Sequence, residues 1–350
     1  QNTGEKKAIS KEIYSYIANL SQNKSYLRLL DAGTGDGTIN SNIIKSFHRY
    51  HPYTSLLMTG KEISYEDLKN TLEKMPDRFV EHPNLLITMT NVKFSELGLV
   101  ESAKKIKNKK IREFNLILKS DNSFDFNQQI SGNRISNFIK KNWGIEIDNK
   151  GRTSYSNPCI IRIYREDNKR QLNQFLNNDY ENNNYDLIIA SQAYRAAASV
   201  KLKVNNVIGP LMSLLNKSGR LLITHSLGGE NVQKILKAGF KDIEAFPNEA
   251  RDIIEFLKNS SFGEDKIYSF SKPKNYNFQF KKAPDQTVTE LFGHNTDAKW
   301  ANILYVGQIP EKDIQRLEKN IKLYNKVKRM IDKTGVIQFK NEIFVITKVR

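Results

Sequence analysis

The sequence predicts an α/β fold, an open and mostly parallel sheet with helices on both faces. Three observations carry that prediction. Largely apolar runs of strand length recur at residues 27–30, 55–59, 85–90, 185–190 and 220–224. Helix-length segments with apolar residues at three- and four-residue steps lie between several of them. The first run ends on Asp31 and passes into Gly33, Gly35 and Gly37, three glycines at alternate positions before the next helical segment.

The glycine turn is the most informative stretch. Glycine tolerates positive φ and lets a ligand lie against the main chain. The helix start beyond it offers unpaired N–H groups. A turn of this kind at the carboxyl end of a strand is where open α/β sheets bind nucleotides. The spacing is GxGxG rather than the GxGxxG dinucleotide fingerprint, and no GxxxxGK loop of the NTPase type is present. An ordinary glycine turn in another α/β protein is the plain alternative. The second strand ends near Glu62, whose carboxylate presents two acceptors suited to the adjacent hydroxyls of a ribose. The third strand delivers Thr90 and Asn91, either to an adenine edge or as a simple polar strand exit.

With Glu62, the DxGxGxG pattern resembles motif I of the class I S-adenosylmethionine (SAM) methyltransferases, a Rossmann-like family. Within it the chain is most similar to small-amine methyltransferases such as the histamine N-methyltransferases. The likeness lies in LLDAGTGDGTINSNII, in Glu62, in YDLIIASQAYRAAASV and in SGRLLITHSLGG. It covers roughly residues 25–100 and 180–240. The resemblance implies SAM as cofactor, S-adenosylhomocysteine as product and no metal. It implies cofactor contacts at Asp31, Gly33, Thr34, Gly35, Gly37, Glu62, Thr90, Asn91, Ser191 and Gln192. It implies methyl transfer to a small molecule, with an amine nitrogen as the expected acceptor. A protein- or RNA-directed methyltransferase, or a SAM-binding subunit without catalysis, are the alternatives.

Candidate catalytic residues sit where strands four and five open: Ser191 and Tyr194 after residues 185–190, and His225 after residues 220–224. An ordinary histidine, with a pKa near ~6.5, would serve as a base at neutral pH; the plain alternative is that His225 packs in its loop. The Tyr194 ring could hold a cationic amine by its face. The sequence after strand four is SQAY, so the Asp/Asn-Pro-Pro-aromatic motif of the base-modifying enzymes is absent.

Taken in order, residues 1–24 read as a helix covering the site. Residues 25–101 form the first half of the cofactor domain, and Ser64 opens a helix after the second strand. Residues 102–184 break the pattern. They hold a helix near 135–143, a strand at 159–164 and a polar tract at 177–184, and are expected to form an inserted lid or substrate-recognition segment. Residues 185–310 supply the second half. The stop signal at 216–219 ends a helix there, and 301–306 (ANILYV) reads as a strand. Residues 311–350 read as one long basic amphipathic helix followed by a hairpin turning at residues 340–342.

Composition bounds the rest. The chain has 350 residues, 39% of them hydrophobic, with one cysteine. A single cysteine excludes an internal disulfide and fits a reducing, cytoplasmic setting. No apolar run approaches the ~18 residues of a membrane span, and the first residues lack an apolar signal core, so no leader is expected. The net charge of +17 arises from 55 Lys and Arg against 38 Asp and Glu. Lysines are spread along the chain, so a solvated surface is favoured over a nucleic-acid partner. A small-molecule substrate is the expected partner, and the oligomeric state is open.

Overall fold

β1 (Tyr26–Ala32) is buried at every residue but its first. A strand covered on both faces reads as a near-continuous apolar run, and this is the condition of a central parallel strand. The structure, a computed structural model, describes residues 5–100, 105–147, 153–169, 184–264, 267–279, 295–334 and 336–350. The chain divides into two units. The larger comprises residues 10–191, 206–222 and 346–350, and the smaller residues 1–9, 192–205 and 223–345.

Helix α1 (Glu5–Ala18) buries Ile13 and Ile17 in the larger unit. There β1 pairs in parallel with β2 (Ser55–Lys61), and β2 pairs in parallel with β3 (Leu85–Thr90). Between them run α2 (Thr38–Tyr50), then α3 (Tyr65–Glu73) and α4 (Pro76–Glu81). Ile39, Ile43, Ile44 and Phe47 form the buried stripe of α2, at helical spacing. Ser64 caps α3, its Oγ accepting from the Asp67 N–H at 3.2 Å, with Glu66 and Asp67 in the first turn.

The segment after β3 adds to the sheet. It holds the short hairpin β4 (Lys105–Ile106) and β5 (Lys109–Lys110), then β6 (Arg112–Leu118). Helices α5 (Ser123–Ile130) and α6 (Asn133–Asn142) follow, then the hairpin of β7 (Ile145–Ile147) and β8 (Thr153–Tyr155), and β9 (Cys159–Arg165). β9 runs antiparallel to β3, and β6 runs parallel to β9. The described part of the inserted segment therefore extends the sheet beyond β3. Most of its polar tract, residues 177–183, lies outside the described residues.

β10 (Tyr185–Ser191) pairs in parallel with the other side of β1, Leu29 opposite Leu187 and Asp31 opposite Ile189. After α7 (Gly209–Ser213), β11 (Leu215–Ser226) lies next to β10. The order in this unit is thus β11-β10-β1-β2-β3-β9-β6. Winding runs outward in both directions from β1. Right-handed crossovers in opposite directions place helices on opposite faces, and the reversal beside β1 is the switch point of a Rossmann-like sheet. The expected fold class is what forms.

The smaller unit holds α8 (Glu230–Gly239), α9 (Ala250–Lys258), β12 (Tyr268–Phe270), β13 (Lys274–Gln279), α10 (Asn295–Gly307), α11 (Glu311–Lys319), α12 (Ile321–Lys333) and β14 (Gln338–Lys348) as far as Val345. β13 is antiparallel to β14, and Phe278 stacks on Phe339 at 5.3 Å. Trp300, Ile303, Leu317, Val327 and Ile331 join Val232, Leu236 and Phe240 in one core.

Four expected elements differ. Residues 216–219, expected to end a helix, lie within β11, the preceding helix ending at Ser213. Residues 301–306 are helical within α10, since Trp300, Ile303 and Val306 recur every third residue and are buried together. The long basic helix is two, parted at Asn320, whose side chain accepts from the Leu323 N–H at 3.2 Å and caps the second. The terminal hairpin is one strand. Asn341 donates to Tyr276 Oη at 3.0 Å and to Glu5 at 2.7 Å, and Glu342 accepts from the Ala250 N–H at 2.7 Å, so these residues are buried strand positions and not a turn.

Candidate functional site

The turn from β1 to α2 is built for close approach. Gly33, Gly35 and Gly37 have φ of 119°, 54° and 74°. At Gly37 a side chain is impossible without movement, because a Cβ would stand 2.7 Å from the Thr71 Cα. At Gly35 the reverse holds. Nothing lies within 4 Å of the position its Cβ would take. The same residue type thus serves packing at one position and leaves open space at the other. The loop is pinned from outside: Thr71 Oγ1 donates to the Gly35 carbonyl at 2.9 Å and Lys74 Nζ to the Asp36 carbonyl at 2.5 Å. Asp36 accepts from the N–H and hydroxyl of Thr38. Thr34 donates its N–H to the Lys61 carbonyl at 3.0 Å. Asp31, buried at the end of β1, underlies the turn.

Glu62 is placed against this loop. Its Oε2 accepts from the Gly35 N–H at 2.8 Å, and its Oε1 from the N–H groups of Ile63 at 2.7 Å and Ser64 at 2.8 Å. A carboxylate has about four acceptor positions, so three are used by the chain and one is left. Glu62 fixes the glycine loop and has one acceptor position left over.

The sequence missed two neighbours here. Gly60 lets β2 pass close to the loop, since a Cβ would meet Thr34 Oγ1 at 2.8 Å and Met89 Sδ at 2.7 Å. The glycine inside an apolar strand was its available signal. Lys61 lies with its ammonium 4.9 Å from the Phe94 ring centroid, and burial pushes its pKa down while the Glu62 charge pulls it back.

Thr90 and Asn91 are tied to the inserted segment. Thr90 Oγ1 donates to the Cys159 carbonyl at 2.8 Å, while Asn91 donates to the Asn157 carbonyl at 2.9 Å and accepts from the Cys159 N–H at 2.8 Å. Their side chains hold β9 to the end of β3, and the Thr90 carbonyl accepts from the Glu62 N–H at 2.9 Å. Ser191 closes β10 at the carboxyl edge, next to the end of β1.

The smaller unit has a small cavity of about 10 Å³, room for about one water, lined by Gln192, Tyr194, Thr224, His225, Ser226 and Gln308 among others. Gln192 adopts φ 50°, a left-handed conformation rare for a side-chain-bearing residue. It is held by its N–H on Thr224 Oγ1 at 3.0 Å and by its amide on Glu5. The structure brings Tyr194 and His225 together, ring centroids 5.8 Å apart. His225 Nε2 lies 2.7 Å from the Asn248 carbonyl, which only accepts, so Nε2 carries the proton and Nδ1 a bare lone pair. That Nδ1 and the Tyr194 hydroxyl are buried and have no partner among the described residues. Burial pushes His225 down to about 4 and raises Tyr194 above its ordinary value, with the Glu342 charge adding to the latter. The buried Lys203 ammonium lies 5.5 Å from the Tyr194 ring centroid and 2.9 Å from Asn248 Oδ1; burial lowers its pKa to about 8. The expectation of an ordinary His225 base is corrected here, because burial makes it neutral and weakly basic.

Among the described residues no group of three or more His, Cys, Asp or Glu is arranged to hold a metal, and no helix is long and apolar enough to cross a membrane. No family model matches the sequence, and no curated protein matches it. Solved structures similar in fold include the cyclase SpnF, with a TM-score of 0.39, 10% identity, and coverage of 97% of this chain and 82% of that chain. A geranyl diphosphate methyltransferase in complex with GPP and sinefungin gives 0.39 and 8%, covering 98% of this chain and 79% of its own. An rRNA methylase from Streptococcus thermophilus gives 0.33 and 8%, covering 97% and 95%. The narrower likeness to small-amine methyltransferases is not shown by these matches.

Proposed function

We propose that the chain is a SAM-dependent methyltransferase acting on a small molecule. The observation that carries the reading is the glycine loop at the switch point, open at Gly35 and backed by a Glu62 carboxylate with one acceptor to spare. The donor set fits the cofactor: main-chain groups and open space suit a flat nucleoside, and a carboxylate suits a ribose hydroxyl. When bound, SAM supplies a methyl group on a positively charged sulfur, already activated for transfer.

Each residue then has a limited task. Gly33, Gly35 and Gly37 keep the loop close-fitting, and Thr34 and Asp31 shape its floor. Glu62 accepts from the ribose. Thr90, Asn91 and Ser191 bound the strand ends, and Gln192 continues from Ser191 in its strained conformation. Ser191, Tyr194 and His225 are the acceptor-side residues we propose from the sequence. These groups orient the acceptor and exclude water, which is the main demand when the leaving group is already activated. An amine nitrogen is the acceptor we favour from the sequence.

Titration calorimetry with SAM and S-adenosylhomocysteine tests the reading. Micromolar binding is expected, abolished in Gly35→Val, which fills the open space with a branched side chain at positive φ. Absence of binding to either nucleoside overturns it. Binding without turnover on a panel of amines, phenols and acids would identify a non-catalytic SAM-binding subunit instead.

A further inference from the structure

Helix α12 carries four of its five cations in one line, the fifth, Lys328, lying instead over the Tyr324 ring. Lys322, Lys326, Arg329 and Lys333 follow each other at steps of four, three and four residues, and all four are exposed. At 3.6 residues per turn they fall within about 60° of arc and run for roughly 16 Å along the axis. Val327 and Ile331, each 1% exposed, lie on the opposite side and belong to the core. The line contains no acid. Asp332 is the one acidic residue of the helix and stands outside the arc, and the first turn has none. None of the four cations has an acidic partner among the described residues. Like charges at three- and four-residue steps repel, and Lys322 in the first turn opposes the helix dipole. A helix selected only for solubility intersperses acids at these steps; this one does not. The preceding α11 repeats the spacing with exposed Lys312, Arg316 and Lys319, of which Arg316 pairs with Asp313 at 3.4 Å.

We infer that α12 is a docking surface for the sugar-phosphate backbone of a nucleic acid. A strand of duplex carries one charge per ~3.4 Å of axis, so the length of the line spans about four or five phosphates. Cations in a row recognise regularly spaced anions without reading bases. A lipid surface fits less well: interfacial helices sink an apolar face beside their cations, and the apolar face of α12 is spent on the core. The surface is independent of whether the glycine loop binds SAM.

The test is fluorescence anisotropy of the full chain with fluorescein-labelled 20-mers, as single-stranded RNA, duplex RNA and duplex DNA, between 50 and 200 mM KCl. With about four phosphates engaged, the log–log salt slope is near −2.8 for a single strand or −3.6 for a duplex, an affinity loss of roughly 50- to 150-fold across that range. The variant Lys322→Gln/Lys326→Gln/Arg329→Gln/Lys333→Gln flattens the slope to near zero. A control with the same charge change at exposed Lys140, Lys141, Lys217 and Lys241 leaves it in place. Arg329→Gln alone reduces it by ~0.7–0.9, so the result does not hang on one multiple variant. Circular dichroism checks that each variant is folded. The inference is overturned if both fourfold variants weaken binding equally, which means diffuse charge. It is also overturned if the wild type binds none of the three at 50 mM KCl, or binds only phosphatidylserine vesicles.

Discussion

Replacing Glu62 by Gln separates what this side chain does for the fold from what it does for a ligand. In the protein without ligand, Glu62 accepts three main-chain N–H groups, from Gly35, Ile63 and Ser64. Gln offers one oxygen. Placed at Oε1 it keeps Ile63 and Ser64, but as neutral bonds, each weaker than a charge-assisted one by about 1 kcal/mol. Its amide then faces the Gly35 N–H donor to donor, and an unmet buried donor costs about 1–3 kcal/mol. Gly35 is only half-buried, so water recovers part of this. The expected loss is about 3 kcal/mol in the ligand-free protein. At about 2–4 °C per kcal/mol for a unit of this size, the melting temperature falls by about 6–12 °C. SAM affinity should fall as well, by at least tenfold, because the loop loses its tether. Calorimetric melting of the unliganded variant is the decisive measurement. An unchanged melting temperature with reduced SAM affinity would refute the tether and leave Glu62 as a ligand contact alone.

The glycines make a paired prediction. Gly37→Ala should cost about 2–4 kcal/mol in urea unfolding, from positive φ plus a Cβ at 2.7 Å from the Thr71 main chain. Gly35→Ala should cost only the ~1 kcal/mol of its φ yet weaken SAM binding more than its stability loss suggests; equal stability losses would contradict the packing. His82 predicts acid sensitivity. Burial, helped by the nearby His48, lowers it from 6.5 to about 4 in the folded chain. Between pH 6.5 and 4 the unfolded chain takes up a proton that the folded chain refuses. Stability is therefore complete above pH 6.5, falls through this window and is constant below it, by about 3 kcal/mol in all. Urea midpoints across that range should be flatter in His82→Gln than in wild type; parallel curves would show that His82 is not the cause.

The parts legible in the sequence are those fixed by short-range chemistry. The loop from β1 to α2, the Ser64 cap and the buried strands β2, β3 and β10 follow from glycine spacing, a capping hydroxyl and apolar runs. What was illegible depended on partners far along the chain. Asn341 and Glu342 read as a turn because their hydrogen-bond partners, Glu5, Tyr276 and Ala250, cannot be inferred from neighbouring residues. Thr90 and Asn91 left two readings open, an adenine edge or a polar strand exit, because their bonds to β9, 69 residues on for Thr90, cannot be inferred from neighbouring residues. The run at 301–306 fits either period over six residues, and only the wider spacing from Trp300 decides for the helix. Glu62 was found at its strand end, but its service to Gly35 could not be seen without the fold.

The surroundings of Tyr194 and His225 constrain the proposed chemistry further. Lys203 already lies against the Tyr194 ring, so that ring has a cation, and an ammonium acceptor nearby would meet repulsion inside a buried site. A neutral amine or a hydroxyl meets none, and its hydrogen suits the His225 lone pair. At a pKa of about 4, His225 is too weak a base to deprotonate an ammonium group near neutrality. An amine acceptor must therefore lose its proton to solvent before transfer, and the alkaline rise of kcat/KM should follow the acceptor's own pKa from one amine to the next. A rise fixed near one value for all acceptors would instead point to a titrating group of the protein, and Lys203, lowered to about 8, would be the first to replace.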